Sequence, residues 1–422
     1  MSDEPRVDDP AVDSTPPNKN GPAENGLTEN GGGAPKRRGK PKKRHTVARV
    51  LTVTIVVMSM AVALFVVYSF RHLSGNLTVG PDINSIPDRP KKVITGPQGP
   101  LNILVMGDDT RSGKGNHIDN EAGGGGSDTT ILLHLSADRK RAYGISIPRD
   151  TMVDRPACDD GKIPAATYQQ WNAAYALGGP LCTIHQLESL TDIRIDHYVV
   201  VKFAGFKGMV DAIGGVEVCV PEEIDDPVAH IHFDKGTYKV TGDQALSYVR
   251  VRHGVGNGSD IGRTRRQQAF IASMANQVIS AGTLTRPDRV LRFLNAATKS
   301  LQVDEGLSNL GKIAALGYEF RHINPSDIQF ITIPWMADPN DPNRVVFAPE
   351  AQQVWKKLRN DQPLTKQLTS TAINAGKPPG STQSSSPGSS GTGRPNQSQS
   401  PSSSPSDSAA NEELASVGLC TS

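Results

Sequence analysis

The sequence lacks the short motifs that mark several common kinds of site. Its 4 cysteines and 10 histidines contain no CxxC pair and no Cys/His spacing of the kind that binds zinc. Four consecutive glycines at residues 123–126 are not followed by the Lys-Ser/Thr pair of a P-loop. His230 and His232 have no third ligand at a matching spacing, so we expect them on the surface. These absences argue against a zinc module and against a P-loop nucleotide site.

Two neighbouring segments lack acidic residues, and the second of them lacks basic residues as well. Residues 36–49 form a basic block without a single acid, and residues 50–70 carry no charge at all. Those 21 residues would span about 31 Å as a helix, against roughly 30 Å for the hydrocarbon core of a bilayer. A cleavable signal peptide is the alternative, but the polar lead is long and no small-x-small cleavage site follows. We therefore predict a single-pass transmembrane helix over residues 47–70, with the N-terminus in the cytoplasm and the chain from residue 71 outside the cell membrane.

Composition divides the rest of the chain. Residues 1–46 are polar, lack helical periodicity and are predicted to be a disordered cytoplasmic tail. No DNA-binding domain is expected there, and the membrane orientation explains the basic block, so we predict no nucleic-acid partner. Residues 71–99 are interpreted as a linker and residues 100–360 as a folded extracytoplasmic domain. Residues 361–422 are interpreted as a disordered tail rich in Ser and Pro.

Between residues 100 and 360, strand-like segments alternate with helical ones. The predicted strands are LNILVMG, DTTILLHLS, RAYGISIPRD, HYVVVKF, VEVCV and IQFITIP. This alternation indicates a layered α/β domain, and about 260 residues are enough for a substantial core. No internal repeat is visible.

The cysteines suit an oxidising compartment. Cys158 and Cys182 are predicted to form a disulfide there. Cys219 reads as a buried strand thiol, and its pairing with Cys420 is a weaker possibility that the sequence leaves open.

An arginine-rich stretch, residues 241–270, stands at the centre of the domain. An amphipathic helix can begin near Asp260, with Ser259 as its N-cap. At about 100° per residue, Arg263 and Gln267 fall on the apolar stripe and should point inward. The arginines of the stretch are Arg250, Arg252, Arg263, Arg265 and Arg266.

Arg265 and Gln268 fall on the opposite side of this helix, where we expect them to be exposed. An inward guanidinium is rarely buried without an anionic partner. A solvated basic face is the simpler alternative. The inward placement of Arg263 favours a pocket for phosphate or pyrophosphate, since Arg presents a bidentate fork to such oxygens.

Several carboxylates lie at the ends of predicted strands. Asp109 and Asp128 flank the glycine-rich loop and could converge on one cation. Magnesium prefers oxygen ligands, often one or two carboxylates plus phosphate oxygens and waters. The alternative for each aspartate is a turn or capping role. Asp109 with Arg111, and Asp150 with Arg149, resemble charges matched around a charged substrate.

In the order of its motifs, the chain resembles the LytR-CpsA-Psr (LCP) family. The motifs that carry the resemblance, in chain order, are GDDTR, SDTTILLHL, SIPRD, NAAYALGG, GFKGMVDAIGGVEV, DQALSYVRVRH and DIGRTRRQQ. They cover residues 101–278 continuously. The resemblance implies an extracytoplasmic, layered α-β-α domain with a central mixed sheet. It also implies an apolar pocket for a polyprenyl (pyro)phosphate lipid, and transfer of a phosphate-linked glycopolymer to peptidoglycan with Mg²⁺ at the pyrophosphate.

By position, the resemblance assigns Asp109 and Asp128 to the metal. The phosphates would be ringed by Arg111, Arg149, Arg250, Arg252, Arg263 and Arg266, with Gln267 beside them. Asp150 has a catalytic or a supporting role, and either Asp109 or Asp150 could be the general base. A long insert between GDDTR and SDTT departs from the family pattern.

The resemblance leaves several functions open. Hydrolysis of a polyprenyl pyrophosphate and non-catalytic binding of an anionic wall polymer are the alternatives to transfer. A membrane-bound transcriptional regulator is disfavoured because residues 1–46 hold no helical pattern. The polymer could be teichoic acid, arabinogalactan or capsule. The expected partners are a polyprenyl-pyrophosphate-linked glycopolymer, a peptidoglycan acceptor and the membrane.

Overall fold

A computed structural model describes residues 46–93, 98–108, 126–227, 231–251, 254–280, 286–320, 323–381 and 405–421. The first described element is helix α1 (Thr46–Gly75), whose 18-residue window of mean hydropathy 2.8 makes it, within these ranges, the one helix long and apolar enough to cross a membrane. The predicted span of residues 47–70 lies inside it, and the helix continues to Gly75.

Eight further helices belong to the described chain. They are α2 (Ala173–Thr191), α3 (Phe203–Ala212), α4 (Gly242–Arg250), α5 (Asp260–Ser280), α6 (Pro287–Ser300), α7 (Leu310–Glu319), α8 (Glu350–Arg359) and α9 (Pro405–Ser416). α2 contains Pro180 and is kinked at Gly179, whose φ of 63° is open to glycine without steric cost.

The strands are short, and eight of them form one sheet. In chain order they are β1 (Thr78–Val79), β2 (Leu101–Asp108), β3 (Ser127–Leu135), β4 (Ala142–Ile147), β5 (Met152–Arg155), β6 (Ala166–Gln170), β7 (His197–Lys202), β8 (Val216–Val220), β9 (Ile224–Asp226), β10 (Ile231–Phe233), β11 (Gly236–Val240), β12 (Leu301–Val303), β13 (Ile328–Thr332), β14 (Trp335–Ala337), β15 (Val345–Phe347) and β16 (Ile373–Asn374). The main sheet has the order β1-β12-β7-β2-β3-β4-β13-β16.

This sheet is mixed, as the family resemblance predicts. β3 is antiparallel to both of its neighbours, β2 and β4, whereas β7 is parallel to β2 and β13 is parallel to β4. All six residues of β4 are buried, because helices cover both faces of the sheet. The α/β class with a central mixed sheet is therefore confirmed.

The two faces of the sheet carry separate apolar clusters. On one face, strand side chains pack against α2 and α8; representative members are Leu104, Leu132, Ile145, Ile184, Leu187 and Trp355. On the other face, α5 covers the sheet with Ala269 and Ala272 beside Phe330. Successive residues of β3 divide between these clusters, as strand geometry requires. This arrangement gives the α-β-α layering.

A second apolar core lies beside the sheet. It joins α3, α4 and α5 to the antiparallel β8–β11 pair. Its buried members include Val210, Val216, Val240, Leu246, Tyr248 and Phe270. α5 therefore contributes side chains both to the cluster on its own face of the sheet and to this second core. Most of its circumference is covered as a result.

The folded region is larger than the sequence predicted at both ends. In the segment 71–99, interpreted as a linker, β1 pairs with β12, and Ile83 and Ile86 are buried in the main core. Beyond residue 360, β16 pairs with β13, and Leu364 is buried. The disordered tail predicted for residues 361–422 was therefore too long. Its apolar residues are few and widely spaced, so no periodic pattern reveals them.

The C-terminal segment, residues 405–421, also packs onto the domain. After α9, Val417 and Leu419 are buried in the cluster on the α5 side of the sheet. Asn257 donates its backbone N–H to the Ser416 carbonyl oxygen at 2.9 Å. This segment therefore covers the turn that leads into α5.

Both cysteine pairs considered from the sequence are disulfides. Cys158 and Cys182 have Cα atoms 5.4 Å apart, and those of Cys219 and Cys420 are 6.0 Å apart. The second bridge joins β8 to the C-terminal segment across a sequence separation of 201 residues. A cross-link over so long a loop restricts the unfolded chain strongly.

We expect the paired variant Cys219→Ser with Cys420→Ser to lose about 2–4 kcal/mol of unfolding free energy in denaturant titrations. Limited proteolysis should then cut the C-terminal segment first, because its covalent link to β8 is gone. The matched control is Cys158→Ser with Cys182→Ser, which should leave that segment protected. Equal cleavage of the C-terminal segment in wild type and both variants would contradict its tethering.

Candidate functional site

The candidate site forms where two central strands of the sheet, β3 and β4, begin and end side by side. β3 and β4 are antiparallel, with Thr130 opposite Ile147, so the start of β3 lies beside the end of β4. This pairing brings Asp128, the second residue of β3, close to Arg149 and Asp150, which follow β4. Strand pairing alone thus joins two motifs that are about 20 residues apart in sequence.

The N-terminus of α5 completes the site. The Ser259 hydroxyl accepts a hydrogen bond from the Gly262 N–H at 3.0 Å, which confirms the predicted N-cap. Ser259 is itself held by Asn257, whose side-chain oxygen accepts its N–H at 3.1 Å. One turn into the helix, Arg263 points inward with only 4% of its surface exposed, as predicted.

Two arginines and three carboxylates meet here, and we call them the arginine–carboxylate cluster. Arg149 donates to Asp128 at 3.0 Å, to Asp260 at 3.0 Å and to Asp150 at 3.3 Å. Arg263 donates to the other oxygen of Asp128 at 3.2 Å and pairs with Asp260 at 3.1 Å. Each guanidinium therefore bridges carboxylates from two different elements.

The pKa values of both Arg149 and Asp150 lie above their ordinary values in this cluster. Burial lowers the pKa of Arg149, but the charges of Asp128, Asp260 and Asp150 outweigh burial, and its pKa is raised. Burial raises the pKa of Asp150, and the neighbouring Asp260 raises it further, although Arg149 and Arg344 act against them. Arg149 is thus a permanent cation, while Asp150 is more basic than an ordinary aspartate.

A family comparison identifies the chain. The model of the LytR_cpsA_psr family matches residues 78–360. The chain belongs to the LytR-CpsA-Psr family. It is 32% identical over 327 residues, 71% of its length, to the cell wall biosynthesis protein LcpA of Corynebacterium glutamicum. It is 31% identical over 231 residues, 53% of its length, to the polyisoprenyl-teichoic acid–peptidoglycan teichoic acid transferase TagV of Bacillus subtilis.

These matches cover only part of the relatives. The alignments span 61% of the LcpA chain and 54% of the TagV chain. Among solved structures, a LytR-Csp2A-Psr enzyme from Actinomyces oris superposes with a TM-score of 0.51 at 21% identity, covering 67% of this chain and 96% of that one. That likeness supports the LytR-CpsA-Psr fold.

Three members of this LytR-CpsA-Psr site were not in the predicted set. Asp260 was assigned to the helix start, yet its carboxylate bridges Arg149 and Arg263. Arg344 and Gln170 both donate to one oxygen of Asp150, at 2.8 and 2.9 Å. Asp260 could have been found from its position on the same helical stripe as Arg263. Arg344 lies in an irregular loop and gives no such signal.

Arg266 and Gln267, predicted to contact phosphate, lie outside the arginine–carboxylate cluster. Arg266 donates to the backbone oxygens of Val251 at 2.6 Å and Val417 at 3.1 Å. Burial lowers its pKa to about 10. Gln267 accepts from the Thr129 hydroxyl at 2.9 Å. Arg266 therefore holds the backbone around the site, and Gln267 links α5 to β3.

The expectation that Arg265 and Gln268 are exposed is wrong. Arg265 is 1% exposed and donates to the Thr371 carbonyl oxygen and, at 3.0 Å, to Gln268. Glu413 of the C-terminal segment lies 3.6 Å from the Arg265 guanidinium. The face of α5 that the periodicity assigned to solvent is covered by the segments that were interpreted as a disordered tail.

The remaining predicted residues are only partly described. Asp109, Arg111 and Arg252 lie outside the described residues, and Arg250 is the half-buried last residue of α4. His230 also lies outside them, while His232 is exposed beside Asp234. The described residues therefore test the placement of Asp128, Arg149, Asp150 and Arg263, and these four come together.

The predicted Mg²⁺ site has the right donor type at Asp128. Carboxylate oxygens are the ligands magnesium prefers, but both oxygens of Asp128 already accept from arginines. Within the described ranges, no group of three or more His, Cys, Asp or Glu side chains is arranged to hold a metal. The described residues therefore supply one carboxylate of the predicted pair, and the Mg²⁺ site stays a prediction because Asp109 lies outside them.

We expect Arg265→Ala to lower the unfolding free energy by about 1.5–3 kcal/mol, because it leaves the Thr371 carbonyl and Gln268 without a charged donor. Thermal or denaturant unfolding would measure this. The control is Arg292→Ala on α6, where the arginine is 64% exposed and pairs with Asp288 on the surface. Such a pair contributes little, so that change should be below about 0.5 kcal/mol. Equal, small effects in both variants would contradict the burial of Arg265.

Proposed function

We propose that the chain is a phosphotransferase that moves a glycopolymer from a polyprenyl-pyrophosphate carrier to peptidoglycan. The observation that carries this proposal is the convergence of Arg149 and Arg263 on three carboxylates at one sheet edge. Phosphoryl transfer depends mainly on positioning and on neutralising charge, and buried arginines supply both. The names of the relatives LcpA and TagV, which describe cell-wall biosynthesis and teichoic acid transfer, agree with it.

In the proposed reaction, an acceptor sugar hydroxyl forms a bond to the phosphorus that carries the glycopolymer. The bond between that phosphorus and the lipid phosphate breaks, and the lipid leaves as its monophosphate. Arg149 and Arg263 would bind the pyrophosphate oxygens and stabilise the charge that develops on the leaving phosphate. Their carboxylate partners hold both guanidinium groups in place before substrate arrives.

The acceptor proton requires a base, and we assign this role to Asp150. Its raised pKa makes it a better proton acceptor near neutral pH than an ordinary aspartate. Arg344 and Gln170 fix the orientation of its carboxylate through one oxygen. The sequence left Asp109 and Asp150 as equal candidates, and the surroundings of Asp150 favour it.

Asp128 and Asp109 would hold Mg²⁺, which when bound would neutralise charge on the pyrophosphate oxygens. The apolar tail of the lipid carrier would lie along half-buried side chains that border the second core. These are Phe206, Met274, Val278 and Phe293.

The proposed substrate is confined to a membrane, and α1 supplies a matching anchor. Its composition and its length of 30 residues suit a single span. The basic block at residues 36–49 supports a cytoplasmic N-terminus and an extracytoplasmic catalytic domain. In this orientation the site is kept close to a lipid donor that cannot leave the bilayer.

A protein that only grips anionic polymer would have little use for this cluster. Asp128, Asp150 and Asp260 would each repel a polyanion, and their three negative charges exceed the two positive charges of Arg149 and Arg263. Carboxylates among arginines are expected where a metal or a proton must also be handled. Hydrolysis of the pyrophosphate would use the same residues with water as the acceptor.

We expect Arg263→Ala to lower the rate of transfer from a lipid-pyrophosphate donor by roughly 10³–10⁵, the range for arginines that stabilise phosphoryl-transfer charge. The assay follows release of lipid phosphate and appearance of polymer on peptidoglycan. Arg292→Ala, exposed on α6, is the control and should retain full activity. A melting curve should accompany each variant.

Wild-type rates in Arg263→Ala would reject the proposed centre. Lipid phosphate released without polymer reaching the acceptor would identify a hydrolase instead. Donor binding with no turnover in the wild type, with acceptor and Mg²⁺ supplied, would identify a binder.

The pH profile tests Asp150 as the base. A base works only when ionised, so kcat/KM should fall as the pH drops through its pKa, which lies above that of an ordinary aspartate. Arg344 lowers that pKa, so Arg344→Ala should move the acid limb to higher pH. Asp150→Asn should lose most activity, and Arg292→Ala should leave the limb in place. An unmoved limb in Arg344→Ala would assign the base to another residue.

A further inference from the structure

Two β-hairpins meet over the proposed base. β5 and β6 form one hairpin, and β14 and β15 form the other. They are joined where Thr151 bridges to Val345, and the Val345 N–H donates to the Asp150 carbonyl oxygen at 3.4 Å. Each hairpin also sends one side chain to the Asp150 carboxylate: Gln170 from the first and Arg344 from the second. The outer surface of the hairpins is thus continuous with the candidate site.

This outer surface carries large side chains that are left exposed. Trp335 is 40% exposed, Tyr168 is 44% exposed, and Met336 beside Trp335 is exposed as well. The sequence has 3 tryptophans, and the other two, Trp171 and Trp355, are buried. An aromatic ring kept in solvent forgoes the free energy of burial, so exposed aromatics close to a site are candidates for ligand contact.

The Tyr168 ring is fixed in place despite its exposure. Its hydroxyl donates to Asp338 and accepts from the Asn340 side-chain amide at 3.2 Å. Its backbone has φ of 52°, a left-handed conformation that a tyrosine rarely adopts, and its N–H donates to Asp154 at 3.0 Å. Such an outlier persists only where the surroundings impose it, and here it holds an aromatic ring at the surface.

Trp335 extends the surface beyond Tyr168. It begins β14, and Asp338, which receives the Tyr168 hydroxyl, lies three residues later. The two rings therefore stand on hairpins that are joined both by the Thr151–Val345 bridge and by the contact of Tyr168 with Asp338.

The chemistry of this surface suits a carbohydrate. The negatively polarised face of an aromatic ring attracts the C–H groups on the face of a sugar. Asn340, exposed beside the Tyr168 hydroxyl, offers its side-chain amide to sugar hydroxyls, whereas Asp338 is buried. Asp341, whose side chain is 43% exposed in the hairpin turn, pairs with Arg344, so the turn adds no net charge that would attract a phosphate-rich polymer. The same polar groups interrupt the apolar area and make it a poor contact for lipid.

We propose that Tyr168 and Trp335 form the acceptor subsite, which binds sugar rings of a peptidoglycan glycan strand and directs a hydroxyl toward Asp150. This proposal rests on the proposed transferase function and names its acceptor contact. It adds two binding residues outside the arginine–carboxylate cluster.

The first test measures binding without any donor. A soluble fragment of the peptidoglycan glycan strand, free of attached polymer, is titrated into the full-length protein by calorimetry. Tyr168→Gly and Trp335→Ala should each weaken binding by tenfold or more. Glycine adopts the left-handed conformation without strain, so Tyr168→Gly removes the ring and preserves the backbone. Tyr168→Phe, which keeps the ring, should retain most of the affinity.

The matched control is Tyr318→Ala. Tyr318 is exposed on α7, next to Glu319, which pairs with Arg139 just before β4 begins, whereas Asp150 follows the end of β4. It therefore lies at the opposite end of that strand, and its removal should leave binding unchanged. Loss of affinity in the control equal to that in the two test variants would overturn the proposal.

The second test separates the subsite from the reaction. In the transfer assay, Tyr168→Gly and Trp335→Ala should raise KM for the acceptor at least tenfold, with kcat at saturating acceptor within about twofold of wild type. Transfer with an unchanged acceptor KM in both variants would reject the subsite and leave the transferase function intact. Fragment binding that depends on both rings, in a protein that never transfers polymer, would keep the sugar subsite and reject the transferase. Weakened binding of a phosphate polymer, but not of the glycan fragment, would assign the surface to the donor and overturn the proposal.

Discussion

The bridging of three carboxylates by Arg149 is the interaction on which the rest of the site depends. It joins Asp128 at the start of β3, Asp260 at the start of α5 and Asp150 after β4. A buried guanidinium is costly without such partners, and the carboxylates would repel one another without it. The sheet edge and the helix N-terminus are therefore held together by charge matching, and the same charges are those the proposed chemistry uses.

A second constraint acts on the side of α5 that faces away from the carboxylates. Arg265 and Arg266 are buried and satisfied largely by backbone carbonyls of segments that follow the predicted end of the domain. Neighbouring arginines of one helix thus have different roles. Arg263 faces the carboxylates, whereas Arg265 and Arg266 bind the chain that covers the helix. This division of roles directs Arg263 toward the carboxylates while the opposite face of α5 is covered by the downstream chain.

The sequence predicted the parts of this arrangement that follow from local periodicity and motifs. The start of α5, the Ser259 cap, the inward Arg263, the strand that carries Asp128 and the strand that precedes Arg149 are all present. It failed for Arg265, because a helical period reports one apolar stripe and cannot show that a distant segment covers the other side. Leu364, Ile373, Val417 and Leu419 are apolar residues scattered through a polar region, so their burial could not be predicted. Arg344 reaches Asp150 from an irregular loop across 194 positions, a contact that only tertiary structure defines.

The link from Arg266 to the Val417 carbonyl has a consequence for biosynthesis. The two residues are 151 positions apart, so α5 leaves the ribosome long before the chain that covers it. At about 5–20 residues per second, the helix waits roughly 8–30 s for that cover. During this interval Arg265 lacks the Thr371 carbonyl oxygen and Arg266 lacks that of Val417, although Val251 is already present to bind Arg266. The packing of α5 is completed only after the downstream chain has been made. Assembly of this domain is therefore vectorial, and its arginine helix is among the last elements to reach final packing.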